Sequence, residues 1–527
     1  MANIKLSNIP LLFMSILCSA QTIQFPDAQF EHALLNTLCV DTDFDGIGDK
    51  TADLNDDGKI EINEAQQIIN LKIDSQKIVS LQGIGHFINL ENLDCSYNSL
   101  KQLNLNKLVK LVELNCSNNL LQFLNVTNLV ELEKLTCRSN KLEKLDLQGL
   151  TRLQEIDGSY NHILTLNING LDKLKIIEFN FNNLFSLEVY NLPNLTTLHV
   201  YFNQLHNLDL IDLPHLYRLL CNNNELTHLN LENLSKLAFL DCSDNKLSNL
   251  NLTNNNNLEK VAFENNKIEN INLRNCPLLN YLACSHNNIK ILDLQNNNKL
   301  EELYCSSNEI ENLNLELTPK LIILYCGYNT IKDLNFTPYI ILKKLNCSGN
   351  ELSNLRLQNL KSLIYLDCSR NNIDTLDLQF VPDLEKLICA FNKMTALDLQ
   401  YIPKLDSLDC SQNEIINLDL QKTKNLFNIN CSHNNIQNLD LQFTPKMIKI
   451  NCSNNYLKNI NLQYVPHLEV LKCQFNQITF LNLQTMKELY VLDCTNNQIT
   501  NLDCSKLKEY ARIYYDENPL TSPPIMR

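Results

Sequence analysis

Apolar residues recur along the chain with a period of 21 residues. Leu90 and Leu111 begin a series that reaches Leu489 without a change of spacing, and Met447 is its one member that is not Leu. With these residues as position 1 of twenty units, position 4 is always aliphatic, position 6 is usually Cys, and position 9 is always Asn. Positions 4 and 6 lie on one side of an extended chain. Each unit therefore predicts one short strand, and the constant period predicts that the strands stack in parallel.

The other recurring positions of a unit predict how the core behind the strands is completed. Apolar residues at positions 11, 14 and 16, such as Ile415, Leu418 and Leu420, are expected to complete the core behind the strands. Position 9 leaves the strand for a turn, where a buried Asn amide can satisfy backbone groups of its own and the next coil. Positions 3, 5 and 7 alternate with the core positions and are expected to point outward, onto a concave face.

The unit L-x-x-L-x-C-S-x-N-x-[LI]-x-x-L-x-L resembles the leucine-rich repeat over residues 90 to about 510. The resemblance implies a solenoid of the α/β horseshoe type, built mostly from short parallel strands and loops, with twenty repeats over residues 90–509. A degenerate first repeat, residues 68–89, contains Ser80-Leu81-Gln82-Gly83-Ile84, which resembles the entry repeats of internalin-like bacterial surface proteins. That likeness implies an exported bacterial binding protein.

An open solenoid end exposes apolar core, so caps are expected at both ends. Residues 21–67 are the predicted N-terminal cap, and residues 510–527 are the predicted C-terminal cap or tail. Within the first cap, the segment 25–38 predicts an amphipathic helix. The residues expected on its apolar face are Phe30, Ala33, Leu34 and Leu38.

The cap also contains a calcium-type motif, because residues 53–64 fit the twelve-residue EF-hand loop at each ligand position. Gly58 permits the sharp turn that this loop requires. The predicted ligands are the side chains of Asp53, Asn55 and Asp57, the carbonyl of Lys59, Glu61 directly or through water, and both oxygens of Glu64.

A second acidic segment precedes this loop and repeats only the beginning of the motif, because Ala52 occupies the place of the terminal Glu. It resembles the half-motifs of dockerin or thrombospondin type 3 repeats. Clustered carboxylates repel one another unless a cation is present, so both loops predict Ca²⁺ as a structural ion. The predicted ligands in this first loop are Asp41, Asp43, Asp45 and Asp49.

Cysteine is frequent, but its placement favours core packing over disulfides. Sixteen of the twenty Cys occupy position 6, from Cys95 to Cys494. Side chains at one repeat position run parallel to each other rather than towards each other, which is unfavourable for bridging. No Cys/His spacing typical of zinc is present. We therefore predict a file of reduced thiols in the core.

The first twenty residues resemble a secretion signal, with Lys5 before a short apolar run and a cleavage site after Ala20. The alternative is a lipoprotein lipidated at Cys18. No later stretch is long and apolar enough to span a membrane, so an extracellular, cell-surface or periplasmic location is expected. No sorting motif follows the repeats, which leaves a released or a truncated protein.

The formal net charge of −15 argues against nucleic acid as a partner, and a monomer is expected.

Outward aromatic residues mark the place where a ligand is expected on the concave face. They replace the usual small residues in units 4 to 6 and 8 to 14, and the alternative is that these rings only pack on one another. The candidates are Tyr160, Phe181, Tyr201, Phe202, Phe239, Tyr281, Tyr304, Tyr325, Tyr328 and Tyr365.

These features favour a binding function over an enzymatic one. The sequence has no nucleophile elbow, zinc-protease motif or phosphate-binding loop. We predict a secreted or surface-associated binding protein, an adhesin that recognises a protein or a glycan. The alternative is a glycan- or peptide-recognition component of a surface nutrient-uptake complex.

Overall fold

The computed structural model describes residues 21–336 and 340–526. The predicted signal peptide, residues 1–20, lies outside the described residues. The chain divides into two compact units, Met1–Leu187 and Glu188–Arg527.

Strands of three residues dominate both units, and helices are few among the described residues. The helices are α1 (Ala28–Asn36) and α2 (Ile62–Ala65), with 3-10 turns at Ile84–His86, Leu378–Phe380 and Leu462–Tyr464. The strands, in chain order, are β1 (Asn70–Lys72), β2 (Asn92–Asp94), β3 (Glu113–Asn115), β4 (Lys134–Thr136), β5 (Glu155–Asp157), β6 (Ile176–Glu178), β7 (Ser186–Tyr190), β8 (Thr197–His199), β9 (Asn207–Ile211), β10 (Arg218–Leu220), β11 (Phe239–Asp241), β12 (Lys260–Ala262), β13 (Tyr281–Ala283), β14 (Glu302–Tyr304), β15 (Ile323–Tyr325), β16 (Lys344–Asn346), β17 (Tyr365–Asp367), β18 (Lys386–Ile388), β19 (Ser407–Asp409), β20 (Asn428–Asn430), β21 (Lys449–Asn451), β22 (Val470–Lys472), β23 (Val491–Asp493) and β24 (Arg512–Tyr514).

In the first unit, β1 to β6 pair in chain order and are all parallel. The N-terminal segment packs against the edge of this sheet. Val40 forms an antiparallel bridge with Leu71 of β1, and the N–H of Lys72 donates to the carbonyl of Cys39 at 2.7 Å. The free edge of β1 is thereby covered, which removes a row of unpaired backbone groups.

In the second unit, β8 pairs with β10, and β10 to β24 follow in chain order with every pair parallel. The predicted succession of parallel strands, one from each repeat, is confirmed for this ladder, but two repeats contain a second strand, β7 and β9, which lies outside it. The ladder also extends past residue 509, because Arg512–Tyr514 pairs with β23. The last segment thus begins with one more turn of the repeat.

The helix α1 is shorter than the sequence predicts. Asp27 ends the preceding extended chain and accepts hydrogen bonds from the N–H groups of Gln29 and Phe30, at 2.9 and 3.2 Å. Phe30, Ala33 and Leu34 are buried as predicted, but Leu38 is 63% exposed. The expectation for Leu38 is wrong because the chain turns extended at Thr37, which takes the next residue off the helical face.

The repeat core is formed by positions 4 and 6, which are buried along both sheets, as in Leu408 and Cys410. Ile415, Leu418 and Leu420 are buried behind them, as predicted. Position 9 closes each turn. In Asn119, the amide nitrogen donates to the carbonyls of Cys95 and Cys116 at 3.0 and 3.1 Å. Its oxygen accepts from Leu100 N–H at 2.9 Å. The Asn side chain therefore joins its own coil to the preceding one, not to the next, whereas its backbone N–H donates to the next coil at Ser139, at 3.2 Å.

Two positions differ from the expected alternation. Position 7 is buried in many units, as in Ser411, whose hydroxyl donates to Asp409 Oδ1 at 2.6 Å. Because this hydroxyl has a hydrogen-bond partner, its burial costs little free energy. Position 8 has a left-handed backbone in all twenty units, with φ from 51° at Tyr97 to 63° at Gly349. We use the term strand face for the outward side chains at positions 3 and 5 only.

The nineteen described cysteines are free and buried. Burial raises the pKa of Cys326 and of Cys452 to about 12. Because the thiolate is the reactive form, we expect the native chain to react with fewer than two equivalents of dithionitrobenzoate at pH 8, and the urea-denatured chain with at least nineteen. Rapid labelling of most thiols in the native state would contradict the buried file.

Candidate functional site

The two acidic loops of the cap have the same backbone course. Loop position 4 has a left-handed backbone in both, with φ of 65° at Phe44 and 60° at Asp56. Loop position 6 is a left-handed glycine in both, with φ of 89° at Gly46 and 82° at Gly58. The repeated D-x-[DN]-x-D-G sequence therefore builds one turn twice.

Each loop is held by its own acidic side chains. In the second loop, Asp53 Oδ2 accepts from Gly58 N–H at 2.8 Å, and Asp57 Oδ1 accepts from Lys59 N–H at 3.0 Å. In the first loop, Asp41 Oδ2 accepts from Gly46 N–H at 3.0 Å. These bonds fix the carboxylates on the inside of each turn.

The ends of the loops differ from the arrangement that the motif implies. Glu64 is buried and accepts from the N–H groups of Leu54, Asn55 and Glu61 at 2.9, 3.1 and 2.9 Å. Its carboxylate therefore caps the loop backbone. Asp49 accepts from the Thr42 hydroxyl at 2.7 Å and is not among the three carboxylates of the first loop that come together.

The donor set of the first loop fits a calcium ion. One carboxylate oxygen from each of Asp41, Asp43 and Asp45 lies within 4.8 Å of the others. Oxygens that share a Ca²⁺ at 2.3–2.6 Å are at most about 5 Å apart. In the second loop, the hydrogen bond to Glu64, burial, and the charges of Glu64 and Asp57 raise the pKa of Glu61. Both loops are thus crowded with negative charge that a cation would relieve.

The first loop is anchored next to the strand face. Asn70, which is buried in β1, donates from its amide to the carbonyl of Asp41 at 2.9 Å. It accepts in turn from the Asn92 amide at 2.6 Å. The Lys72 ammonium donates to the carbonyl of Gly46. The sequence motif gave no sign of this contact between residues 41–46 and the first strands.

The predicted aromatic residues separate into two groups. Tyr281, Tyr304, Tyr325, Tyr365 and Phe239 are half-buried on the strand face. The other members lie at positions 7 and 8, at its edge. The exposed ones at this edge are Tyr160, Phe202 and Tyr328, with Phe181 and Tyr201 half-buried.

Tyr281, Tyr304 and Tyr325 form a continuous aromatic run on three adjacent strands. The ring centroids of the first pair are 5.7 Å apart and tilted by 46°. Those of the second pair are 5.3 Å apart, edge to face at 74°. The second distance is close to the spacing of about 4.8 Å between neighbouring strands, but the rings do not stack in parallel.

The surroundings of this aromatic run are acidic. The Tyr304 hydroxyl donates to Glu302 at 2.9 Å. Burial first, then the charges of Glu264 and Glu302, raise the pKa of Tyr281. Burial also raises the pKa of Asp241 and of Glu264. The Tyr281 phenol therefore remains protonated at neutral pH in an acidic environment.

The remaining strand-face aromatics are covered by cations. Arg218 lies 4.5 Å from the Phe239 ring centroid and Lys386 lies 5.5 Å from that of Tyr365. Burial, followed by the charge of Asp367, raises the pKa of Tyr365 to about 12.

At the edge, aromatic residues stack along position 8. Tyr160 and Phe181 are 4.3 Å apart with ring planes 21° from parallel, and Arg138 lies 4.4 Å from the Tyr160 ring centroid. Sequence reasoning missed a similar pair, Phe391 under Arg370 at 4.2 Å. Tyr201 and Phe202 meet edge to face at 6.1 Å. These contacts support packing at the edge more than a ligand site.

No protein-family model matches the sequence, and a search of curated proteins finds no match. Among solved structures, YopM from Yersinia enterocolitica is 26% identical over 78% of this chain and 88% of that chain, with a TM-score of 0.66. The leucine-rich-repeat ectodomain of the receptor kinase GASSHO1/SCHENGEN3 from Arabidopsis thaliana, solved with Casparian strip integrity factor 2, is 21% identical over 86% and 70%, with a TM-score of 0.58. The chain has the leucine-rich-repeat fold.

A further match concerns the predicted internalin-like character. The functional domain of InlJ from Listeria monocytogenes is 21% identical over 92% of this chain and 78% of that chain, with a TM-score of 0.29. That score is too low to support a structural argument, so this resemblance still depends on the entry-repeat sequence. In the described part of the chain, no helix is long and apolar enough to cross a membrane.

Proposed function

We propose that this leucine-rich-repeat protein is an exported, non-enzymatic binding protein that holds a protein partner on its strand face. The observation that carries this proposal is the aromatic run Tyr281–Tyr304–Tyr325, in which half-buried rings lie on adjacent strands. Tyrosine is enriched in binding hot spots because it offers large apolar area and one hydroxyl at low entropic cost. An adhesin role fits this surface.

The acidic surroundings favour a partner that presents basic side chains to the run. Glu302 already engages the Tyr304 hydroxyl at 2.9 Å, while Asp241 in β11 and Glu264, which follows β12, add negative charge near Tyr281. Lys260 lies 5.9 Å from the Tyr281 ring centroid, and an Arg or Lys of a partner would find aromatic rings and carboxylates together at this site.

Alanine substitution of Tyr281, Tyr304 and Tyr325 together is expected to reduce attachment at least tenfold, because hot-spot residues each contribute about 2 kcal/mol or more. The measurement is attachment of beads coated with the full chain to cultured cells, before and after protease treatment of the cells. A matched control replaces three exposed aromatics outside the strand face, Tyr401, Tyr456 and Phe480.

Equal attachment of both triple variants would refute the aromatic run as the binding surface. Attachment that survives protease treatment would refute a protein partner. The second candidate, a recognition component of a nutrient-uptake complex, predicts instead that the chain is recovered with surface transport proteins after fractionation.

We further propose that Ca²⁺ binds the two acidic loops and stabilises the N-terminal cap. The side chains that would hold it are Asp41, Asp43 and Asp45 in the first loop, and Asp53, Asn55, Asp57 and Glu61 with the Lys59 carbonyl in the second. The ion would supply charge neutralisation between these carboxylates. Export after cleavage at Ala20 and a monomeric state complete the proposal.

A further inference from the structure

A cavity of about 350 Å³ lies between the first acidic loop and the strand face of β1 to β4. Phe44 and Gly46 form the loop side of this cavity, and Asn92, Asp94, Glu113 and Asn115 line its floor. Its volume is within the range of small-molecule sites. All of these residues belong to the first unit, whereas the aromatic run belongs to the second.

The cavity continues along the strand face. A second recess of about 280 Å³ shares Lys134 and Thr136 with the first and extends to Glu155, Asp157 and Glu178. The two together form an elongated site within the first unit, long enough for a chain-like ligand rather than a single small molecule.

The polar groups of the floor are fixed before any ligand arrives. Asp94 Oδ1 accepts from Ser96 N–H at 2.9 Å, and Asp94 Oδ2 accepts from the Asn115 amide at 3.0 Å. Asn115 Oδ1 accepts from Ser117 N–H at 3.2 Å. Each oxygen keeps a second lone pair and the Asn115 amide a second hydrogen. A ligand therefore meets a preorganised row of donors and acceptors, which lowers the entropic cost of binding.

The charged side chains along the two recesses are mostly carboxylates, with Lys72 and Lys134 as the cations. Both cations are already engaged: the Lys134 ammonium lies 2.9 Å from Glu155, and the Lys72 ammonium donates to the Gly46 carbonyl. The site is therefore unsuited to an anionic ligand. Its carboxylates accept hydrogen bonds, which favours an uncharged ligand rich in hydroxyl groups.

Phe44 adds an apolar surface at the mouth. Its side chain is 64% exposed, although its N–H is held by Asp41 Oδ1 at 2.8 Å. A matching ligand has hydroxyl groups at its edges, which pair with the fixed amides and carboxylates of the floor. It also has a C–H face, which packs on the open Phe44 ring at the mouth. We infer that this cavity binds a neutral oligosaccharide.

A peptide fits the same site less well. Peptides gain affinity on sheets by pairing with an exposed strand edge, and the edge of β1 is already covered by the Val40–Leu71 bridge. The polar side chains of the floor lie at positions 3 and 5. Hydroxyls on a sugar ring can pair with these directly, and a peptide could bind only through the same side chains, without the strand pairing that adds affinity.

The test uses the full chain against an array of neutral oligosaccharides, two to six units long, of glucose, galactose, mannose, xylose and N-acetylglucosamine. The best-bound oligosaccharide is then titrated by calorimetry. We expect Asp94→Ala and Phe44→Ala each to weaken binding about tenfold or more, since each removes a preformed contact.

Asp409→Ala is the matched control for Asp94→Ala. Asp409 has both of these bonds, from Ser411 N–H at 3.0 Å and the Asn430 amide at 3.1 Å, and one more from the Ser411 hydroxyl at 2.6 Å. Its variant should therefore lose at least as much stability and no affinity. Absence of binding on the array, or equal affinity of the Asp94 and Asp409 variants, would overturn the inference, as would Asp94-dependent binding to a peptide array alone. The Tyr281/Tyr304/Tyr325 variant should keep full oligosaccharide binding, so this inference and the proposed function fail separately.

Discussion

Replacing Asn413 by Ala is expected to lower the free energy of unfolding by about 3 kcal/mol, because it leaves a buried donor without a partner. Asn413 Oδ1 accepts from Met394 N–H at 3.0 Å. Its amide donates to the carbonyls of Cys389 and Cys410 at 3.0 and 3.1 Å. All four residues are buried. Urea denaturation followed by circular dichroism measures the loss, and hydrogen exchange at the Met394 amide locates it.

Asn413→Asp separates hydrogen bonding from volume. The side chain is nearly isosteric, but it presents a second oxygen where the amide donated to two carbonyls. We expect destabilisation at least as large as for Asn413→Ala, and larger at pH 8 than at pH 4 because an ionised buried carboxylate has no counter-charge there. Asn417→Ala, at an exposed Asn of the same repeat, should be nearly neutral. An Asn413→Asp variant as stable as the parent would show that the hydrogen bonds of the position-9 Asn are not required for stability.

The series of Asn residues at position 9 illustrates what the sequence could predict. Positions 4, 6 and 9 recur without interruption, so a single stacking rule accounts for every unit. Position 7 is buried in many units, although its polar Ser predicts an outward side chain. Its burial depends on a local hydrogen bond, such as that from Ser411 to Asp409 at 2.6 Å. Periodicity reports which residues are apolar, but it does not report which polar ones are satisfied.

Position 8 carried a signal that sequence reasoning overlooked. None of its twenty residues is β-branched, and nine are Asn, Asp, His or Gly. These are the types that most readily adopt a left-handed backbone. The same conformation is adopted by Tyr160, Phe181 and Tyr328, so their aromatic side chains leave from the edge of the strand face. These residues therefore lie outside the strand face, and their role in ligand binding stays a prediction.

The oligosaccharide cavity could not be predicted from the repeat at all. It forms because Asn70 binds the Asp41 carbonyl at 2.9 Å across 29 residues of sequence. No periodic pattern relates the cap to the first strands. A calcium-type motif predicts a turn and its ligands, but not which surface that turn approaches.

Removal of Ca²⁺ is expected to lower the melting temperature of the cap. If a loop binds with a dissociation constant of about 10⁻⁴–10⁻³ M, as extracellular calcium modules do, then 10 mM Ca²⁺ stabilises it by roughly 1.4–2.7 kcal/mol relative to EDTA. Scanning calorimetry of the full chain in both buffers measures this effect. The shift should appear in the transition that includes the first unit, because both loops belong to that unit.

Two variants test the loops without removing their internal hydrogen bonds. Asp45→Asn and Asp57→Asn keep the oxygens that accept from Ile47 and Lys59, at 2.7 and 3.0 Å, and remove one negative charge each. We expect both to retain the EDTA melting temperature and to lose part of the Ca²⁺-dependent gain. Asp398→Asn, in an exposed turn with the same bond to Gln400 at 3.1 Å, should keep the whole gain. Identical melting in Ca²⁺ and EDTA would instead mean that backbone N–H groups alone hold these carboxylates.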